Sequence, residues 1–483
     1  MSEAVAQATE RTGRAVEVWG TAEKCHDPYL RCALYGAAQT ALGVTGCCVL
    51  SHSPQGCYQL VDAAFGWQDA DYTETLTLCT KLCEDEIVHG GEETLARTIL
   101  EARSLDVPIL FVVTACGPEI VGDDVVAVCE EMHSQVDFQI VPILCAGFRG
   151  DQNRGIDIAL DALLKHLVTG DGESGAVGDR SQPGQHVSRN TFHATRFTHH
   201  VSRSVCLIAP HANANPTWMG DLAWVKEVLA HMGAQVVATL THDTTLREFQ
   251  QVPLAEACIV LSHDAGQKAA ETLAERYGFE QWCRGLPLPI GFTNARTWLT
   301  QLGHRLGAEE EAGRLIAQGE ALVVEACRRK GLEQSAMHRA PAAIVADATV
   351  GIPLVRFITE DLEMVPTLVC LRSGQAGASE MLERELADLG LHVKVVYNTD
   401  VYRAKMALGQ ARPEMVLGSN IERHAVEELG IPFVFRLVNP ISRFRMVDRA
   451  YFGYVGMLNL IESIQNDWWD RYRSKQRRYK ARW

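Results

Sequence analysis

Residues 107–132 read VPILFVVTACGPEIVGDDVVAVCEEM. An apolar run of Ile, Leu, Phe and Val closes on a small-residue turn, and a helical pattern opens directly behind it. The run does not alternate apolar with polar, as a strand with one wet face would. It therefore predicts a strand covered on both sides, the situation of parallel sheets in α/β proteins. The same setting recurs twice. SVCLIAP (204–210) leads, after HANANPTWMG, to DLAWVKEVLAHMG, and PAAIVADA (341–348) leads to TVGIPLVRFITEDLEM. Further β-rich runs follow helical patterns: AQVVATL (234–240), ACIVLS (257–262), TLVCLR (367–372), HVKVVYN (392–398) and EMVLGS (414–419). Glycines in HMGAQVV and DLGLHVKVV read as helix C-caps ahead of the next strand. The expected class is α/β, with three doubly wound Rossmann-like units of parallel sheet at 1–203, 204–340 and 341–460, and a basic, aromatic helical tail at 461–483. GDGESGAVGDRSQPGQHVSRN (170–190) has almost no apolar residues and is expected to be a mobile loop in the first unit.

The chain has 483 residues, 47% hydrophobic and 22% charged, enough for a sizeable core. A formal charge of −15 speaks against nucleic acid or an anionic membrane as the main partner. The basic tail QNDWWDRYRSKQRRYKARW is better read as a helix docking its Trp and Tyr side chains than as a nucleic-acid arm. No apolar run reaches the roughly eighteen residues of a membrane span. The opening MSEAVAQATERTGRAVEVWG lacks the apolar core of a signal peptide, so a cytoplasmic protein is expected. A GxxxxGK[ST] loop is missing, so this chain should not hydrolyse ATP itself. The glycines of GVTGC and HSPQGC lack the dinucleotide-binding spacing, and no NAD site is expected despite the fold class.

Fifteen cysteines are many for a reducing compartment. Most are expected to be small apolar core residues, and metal ligation is the natural reason for the rest. TGCCVLSHSPQGCY (45–58) holds three of them, in no zinc-hairpin spacing. Cys47 and Cys48 are neighbours on a strand, point to opposite faces, and read as core. Cys57 falls past a Pro-containing turn. Cys32 opens CALYGAAQTALG, and Cys116 closes VVTAC before GPEIVGDD. All three lie at strand-to-turn junctions, toward the crevice where α/β folds place ligands. Sequence-distant thiolates there can converge on one iron–sulfur cluster, with Gly36, Gly56 and Gly117 letting backbone approach it. By spacing alone, burial in the core competes on equal terms.

Other candidates read more plainly. Cys25 and His26 suit an exposed or interface segment. Cys79 and Cys83 would share one face if LTLCTKLCEDE were helical, and packing is the expected role. Cys145 adjoins the cluster region only in sequence, His89 reads as a turn histidine, and Cys258 as strand core.

The motifs CALYGAAQTALG, SHSPQGC, EDEIVHGG (84–91) and TACGPEIVGDDV (114–125), with weaker matches at GIPF (430–433) and RAYFGYVGML (449–458), resemble the component-1 family of nitrogenase and nitrogenase-like reductases. The resemblance covers most of the chain and implies the three-unit architecture. It implies that Cys32, Cys57 and Cys116 hold half of a P-cluster-type [8Fe–7S] cluster at the interface with an α-type subunit, in an α2β2 heterotetramer. A homodimeric iron protein using MgATP would deliver the electrons. The cysteine spacings and RAYFGYVGML look like the β-type subunit. At the two positions that anchor the catalytic cofactor in the α-type chain, this sequence has Ser262, with Cys258 four residues earlier, and Leu437. The catalytic iron–sulfur cofactor is therefore expected on the partner chain. Where nitrogenase β-subunits carry a TPSFVGS-like segment, this chain has LCAGFRGDQNRG (144–155), which puts Asp151 at the serine position, either as an extra iron ligand or as a helix cap. That departure, with the short segment ahead of Cys32, is similar to nitrogenase-like homologues, methylthio-alkane reductases being the nearest among them. A nitrogenase β-subunit and a cofactor-assembly scaffold are the alternatives.

Overall fold

The structure is a computed structural model. It describes residues 16–18, 30–67, 75–168, 203–210, 215, 217–330, 337–374, 377–438 and 447–476. Cys25, His26, the 170–190 loop and the last seven residues of the tail lie outside the described residues.

Among the described residues, three sheets organise the chain. The first contains β2 (Cys47–His52), β3 (Leu76–Cys79), β4 (Ile109–Thr114) and β5 (Gln139–Ile143) in the order β3–β2–β4–β5. The second has β6 (Ser204–Ile208), β7 (Gln235–Leu240), β8 (Ala257–Val260) and the short β9 (Glu280–Gln281), ordered β7–β6–β8–β9. The third is formed by β10 (Pro341–Ala346), β11 (Val365–Leu371), β12 (Lys394–Tyr397), β13 (Met415–Ser419) and β14 (Phe433–Val438), and β1 (Val16–Val18) adds itself to its edge against β12. Every pairing among these strands is parallel. The expected α/β class with parallel sheets is what the chain adopts, and the eight quoted runs all fall on strands. That β1 joins the third sheet was not expected from its sequence.

In the first sheet the continuous apolar runs are buried on both faces. Cys47, Val49, Phe111 and Val113 pack toward Leu34, Ala38, Leu160 and Leu163, while Cys48, Leu50, Leu110 and Val112 pack toward Leu95, Ile99, Val128 and Met132. Each such Leu, Phe or Val contributes roughly 1.5–3 kcal/mol when fully buried. The two adjacent cysteines divide between the two faces, as the period of two requires.

Buried polar contacts join the units. Thr45 N–H donates to Thr244 O at 3.1 Å. The Asp264 carboxylate, 4% exposed, accepts from the amides of Ala348 (3.0 Å) and Thr349 (2.7 Å) and from the Ser373 hydroxyl (2.7 Å). Asp221 accepts from Tyr451 and Phe452 N–H at 2.6 and 2.9 Å. The final helix spans Gly453–Gln476 and stacks Trp468 edge-on against Phe433 at 5.3 Å.

Candidate metal centre

The site lies at the C-terminal ends of β2 and β4. These strands run in register, with Ser51 beside Val113 and His52 beside Thr114, so the segments leaving them emerge side by side. Four helices carry the residues of the site: α1 (Ala33–Ala41), α2 (Gln55–Trp67), α3 (Cys116–Val121) and α4 (Gln152–His166).

Cys32 is the N-cap residue of α1, in extended conformation. Its place depends on α1 and α4 touching backbone to backbone. A Cβ at Gly36 would lie 1.9 Å from Gln152 O, and one at Gly155 would lie 2.0 Å from Ala33 O, so no larger residue fits either contact. Gln152 Nε2 donates to Gln39 Oε1 across the same buried seam at 2.8 Å. The close approach sets Cys32 opposite Asp151 in an antiparallel bridge, with Ala33 N–H donating to Gly150 O at 3.0 Å. Cys57 stands in the first turn of α2 rather than at a strand end, and its N–H reaches back to Pro54 O at 3.1 Å. Cys116 is the first residue of α3.

The 144–150 segment folds over the two outer cysteines. Gly147 N–H donates to Cys116 Sγ at 3.1 Å. A Cβ on Gly147 would lie 3.1 Å from Cys116 Sγ, 3.3 Å from Cys32 Cβ and 3.6 Å from Cys32 Sγ, so Cys32 and Cys116 meet at this glycine. Glu119 braces the segment. Its carboxylate, 6% exposed, accepts from the Thr114 hydroxyl, from Ala146 N–H at 3.0 Å and from Arg149 Nε at 2.6 Å. Cys145 is fully buried behind it, with its N–H on Thr114 Oγ1 at 2.9 Å, and burial pushes its thiol up. Cys57 completes the group. Burial raises its thiol, and the neighbouring thiols of Cys116, Cys32 and Cys79 raise it further. Among the described residues no three His, Cys, Asp or Glu side chains stand already closed around one metal position. Cys32 and Cys116 meet at Gly147, the Cys57 thiol is near enough to sense both, and all three are half-buried.

Asp151 acts as the N-cap of α4, accepting from Arg154 N–H at 3.1 Å. LTLCTKLCEDE does not form one helix: Cys79 ends β3 and Cys83 caps the helix Glu84–His89, so the two share no helix face. His89 ends that helix, exposed, and Cys258 is fully buried in β8. Two contributors were not legible in advance: the Gly147 amide and the Glu119 brace. Only GPE directly after Cys116 hinted at the second. His52 also lies here. It is fully buried, its Nε2 lies 3.0 Å from Asp123 Oδ2, and Asp123 accepts from Gly91 N–H at 3.0 Å. Burial keeps this imidazole below its ordinary value against the pull of Asp123.

The thiols fit an iron–sulfur group. They are soft ligands at three separate element ends, with a backbone N–H aimed at sulfur and a glycine where a side chain would collide. Around the crevice four apolar side chains are exposed: Val88 (67%), Ile120 (73%), Val121 (37%) and Phe148 (58%).

A separate cavity of about 30 Å³ is lined by Trp218, Leu261, Ile290, Val350, Leu437 and Phe452 among others. Its described lining contains no thiol or imidazole. Ser262 is held by Thr349 Oγ1 at 3.0 Å and accepts from Asp264 N–H at 3.0 Å.

Comparison with known proteins gives a family and a fold. The family model described as nitrogenase component 1 type oxidoreductase matches residues 32–468. The nitrogenase iron-molybdenum cofactor biosynthesis protein NifE of Bradyrhizobium diazoefficiens is 24% identical over 90% of this chain and 73% of its own length. The nitrogenase molybdenum-iron protein beta chain of Methanococcus maripaludis is 23% identical, over 93% of this chain and 96% of its own. The solved structure titled nitrogenase Cp1 at pH 6.5 superposes with a TM-score of 0.73 at 18% identity, covering 94% of this chain and 96% of that one. No described helix is long and apolar enough to cross a membrane.

Proposed function

Because the chain belongs to the nitrogenase component 1 type oxidoreductases, we propose that it is the β-type subunit of a nitrogenase-like reductase, holding half of an interfacial [8Fe–7S] cluster on Cys32, Cys57 and Cys116. The single observation that supports this most is the meeting of Cys32 and Cys116 at Gly147, with the Cys57 thiol alongside. A bound cluster would supply one-electron transfer, while the chain supplies ligands and surroundings. Each thiol gives up its proton on binding iron. The Gly147 amide, donating to Cys116 Sγ, favours charge on that sulfur. Glu119 holds the covering segment and so limits water.

The apolar rim of Val88, Ile120, Val121 and Phe148 is where an α-type partner would dock and contribute the other half of the ligands. An α2β2 assembly follows, with a separate iron protein consuming MgATP. The catalytic cofactor is assigned to the partner. In this chain Ser262 and Leu437 stand where its anchors would be, and the described lining of the nearby cavity offers no thiol or imidazole. The same cavity weighs against a second reading, a cofactor-assembly scaffold, which the similarity to the NifE protein keeps in view.

The ligand assignment is tested by purifying the chain with its partner without oxygen and counting iron. Cys57→Ala is expected to lose interface iron and turnover together, and normal iron in that variant would defeat the assignment. For the reaction we assign reductive C–S cleavage of small organic sulfides, as in methylthio-alkane reductases, in the cytoplasm. Reduction of dinitrogen or acetylene but not of an organic sulfide by the reconstituted complex would instead make it a nitrogenase. Iron binding with no turnover of either would favour the scaffold.

A further inference from the structure

The Asp123 carboxylate gathers three segments at one buried point, and His52 is the member that belongs to the sheet. His52 ends β2 with its side chain fully enclosed. Its Nε2 donates to Asp123 Oδ2 at 3.0 Å, and its Nδ1 has no partner among the described residues, so Nε2 anchors the ring. Asp123, 2% exposed, also accepts from Gly91 N–H at 3.0 and 3.1 Å. Gly91 lies just past the helix Glu84–His89. A Cβ there would stand 2.9 Å from Leu82 Cδ2, 3.0 Å from His52 Cε1 and 3.1 Å from Asp123 Oδ2, so this turn is pressed onto the imidazole. Asp123 lies just past α3, where its amide and that of Gly122 both donate to Pro118 O at 3.0 Å. The Asp124 amide adds a bond to the Glu92 carboxylate at 2.7 Å. The two helices also touch directly, because a Cβ on Gly117 would lie 2.7 Å from Ile87 Cδ1. On the sheet side, Ala115 N–H donates to His52 O at 3.2 Å, one residue before Cys116. Each helix has only six residues, too few to be stable without outside anchors. Between them they carry Val88, Ile120 and Val121 of the apolar rim, and α3 begins with Cys116.

We infer that His52 is a positioning residue. Through the Nε2 bond to Asp123 it ties both short helices to the end of β2, and so sets Cys116 and the apolar rim in place together. The inference rests on the reading of Cys116 as an iron ligand and of the rim as the partner surface, and it adds the residue that couples them. What the arrangement needs is a donor at the Nε2 position, since a buried carboxylate deprived of its donor is costly. The amide nitrogen of glutamine falls near that position. The amide nitrogen of asparagine falls one bond short, near Nδ1, and leaves Asp123 without its donor from the sheet.

The test compares His52→Asn with His52→Gln, first in the free full-length chain and then in the complex with the α-type partner prepared without oxygen. In the free chain, His52→Asn is expected to exchange its amides about tenfold faster over 84–92 and 116–124, with unchanged far-ultraviolet circular dichroism. Its complex is expected to associate more weakly, to hold several-fold less iron and to show an altered cluster spin signal. His52→Gln is expected to restore slow exchange, association, iron and signal together. Asparagine and glutamine variants that behave alike, whether both intact or both impaired, would overturn the inference. So would unchanged exchange in His52→Asn, or loss of its circular dichroism, which would make His52 a folding residue rather than a positioning one. A Cys116→Ala complex serves as the control. If it keeps its iron, the ligand reading falls separately, and the free-chain exchange, which needs no iron, still decides whether His52 holds the two helices.

Discussion

Gly147 sits against Cys116 so closely that its amide donates to Sγ at 3.1 Å and a Cβ placed on it would stand 3.1 Å from the same atom. The glycine therefore serves twice, as a hydrogen-bond donor and as a gap. Gly147→Val keeps the donor and fills the gap. Its Cβ would press on both Cys116 Sγ and Cys32 Cβ, so the variant complex should bind at least several-fold less iron while melting within a few degrees of the original. Iron analysis beside a thermal melt checks this, and full iron content would show that the sulfurs have room to move.

Glu119 is a nearly buried carboxylate with three donors. Removing the acceptor strands the Ala146 amide and the Thr114 hydroxyl, and hydrogen bonds to a charged group are worth about 1.5–3 kcal/mol each before the half-exposed Arg149 is discounted. Glu119→Ala should lower stability by about 2–3 kcal/mol in urea unfolding and speed amide exchange at Ala146 and Gly147. Exchange that stays slow there would mean the segment is held by something else.

The Asp151 carboxylate accepts from the Arg154 amide in the first turn of α4. If capping is its role, Asp151→Ala should cost about 1 kcal/mol and Asp151→Asn only a few tenths, with neither changing iron content. The spin signal of the oxidised cluster discriminates: a change in that signal in Asp151→Asn, at unchanged stability, would make the carboxylate a ligand.

The exposed Ile120 and Phe148 flank the crevice at 73% and 58% exposure. Ile120→Asp should leave the isolated chain as stable as before and weaken association with the α-type subunit by an order of magnitude or more, measured by sedimentation of mixed subunits. Undiminished association would move the partner surface elsewhere.

Two buried groups set opposing pH trends. Burial pulls His263 down to about 4, with Nε2 lacking a partner. Between about 4 and its ordinary value near 6.5 the unfolded chain takes the proton and the native one does not, so this group favours folding more as pH rises, by up to about 1.4 kcal/mol per unit. Asp361, buried where it accepts Phe292 N–H at 3.0 Å, is pushed up to about 7 by desolvation. From about 4 to 7 the native chain keeps that proton, so its contribution is lost as pH rises. Asp361→Asn should therefore steepen the gain in stability from pH 5 to 7, and His263→Gln should flatten or reverse it. Unfolding curves at several pH values check both, and identical slopes in the two variants would contradict the assignment.

The class of fold was legible because a strand buried on both faces needs an unbroken apolar run, and that need is local. VPILFVVTAC, SVCLIAP and PAAIVADA each announce themselves without reference to the rest of the chain. Cys47 and Cys48 were readable for the same reason, since alternation along a strand is a property of neighbours. The candidate ligands Cys32, Cys57 and Cys116 were marked by their places at element ends and by family motifs. What only the tertiary structure decided is which groups stand around them. Cys79 reads as half of a helical pair and instead ends a strand beside Ser51, because β3 pairs with β2. Gly147, Glu119 and Asp151 matter through contacts with residues about thirty or more than a hundred positions away. Such contacts arise from register between strands and from the close approach of α1 and α4 at Gly36 and Gly155. Neither is a property of any single stretch of sequence, so neither could be read from one.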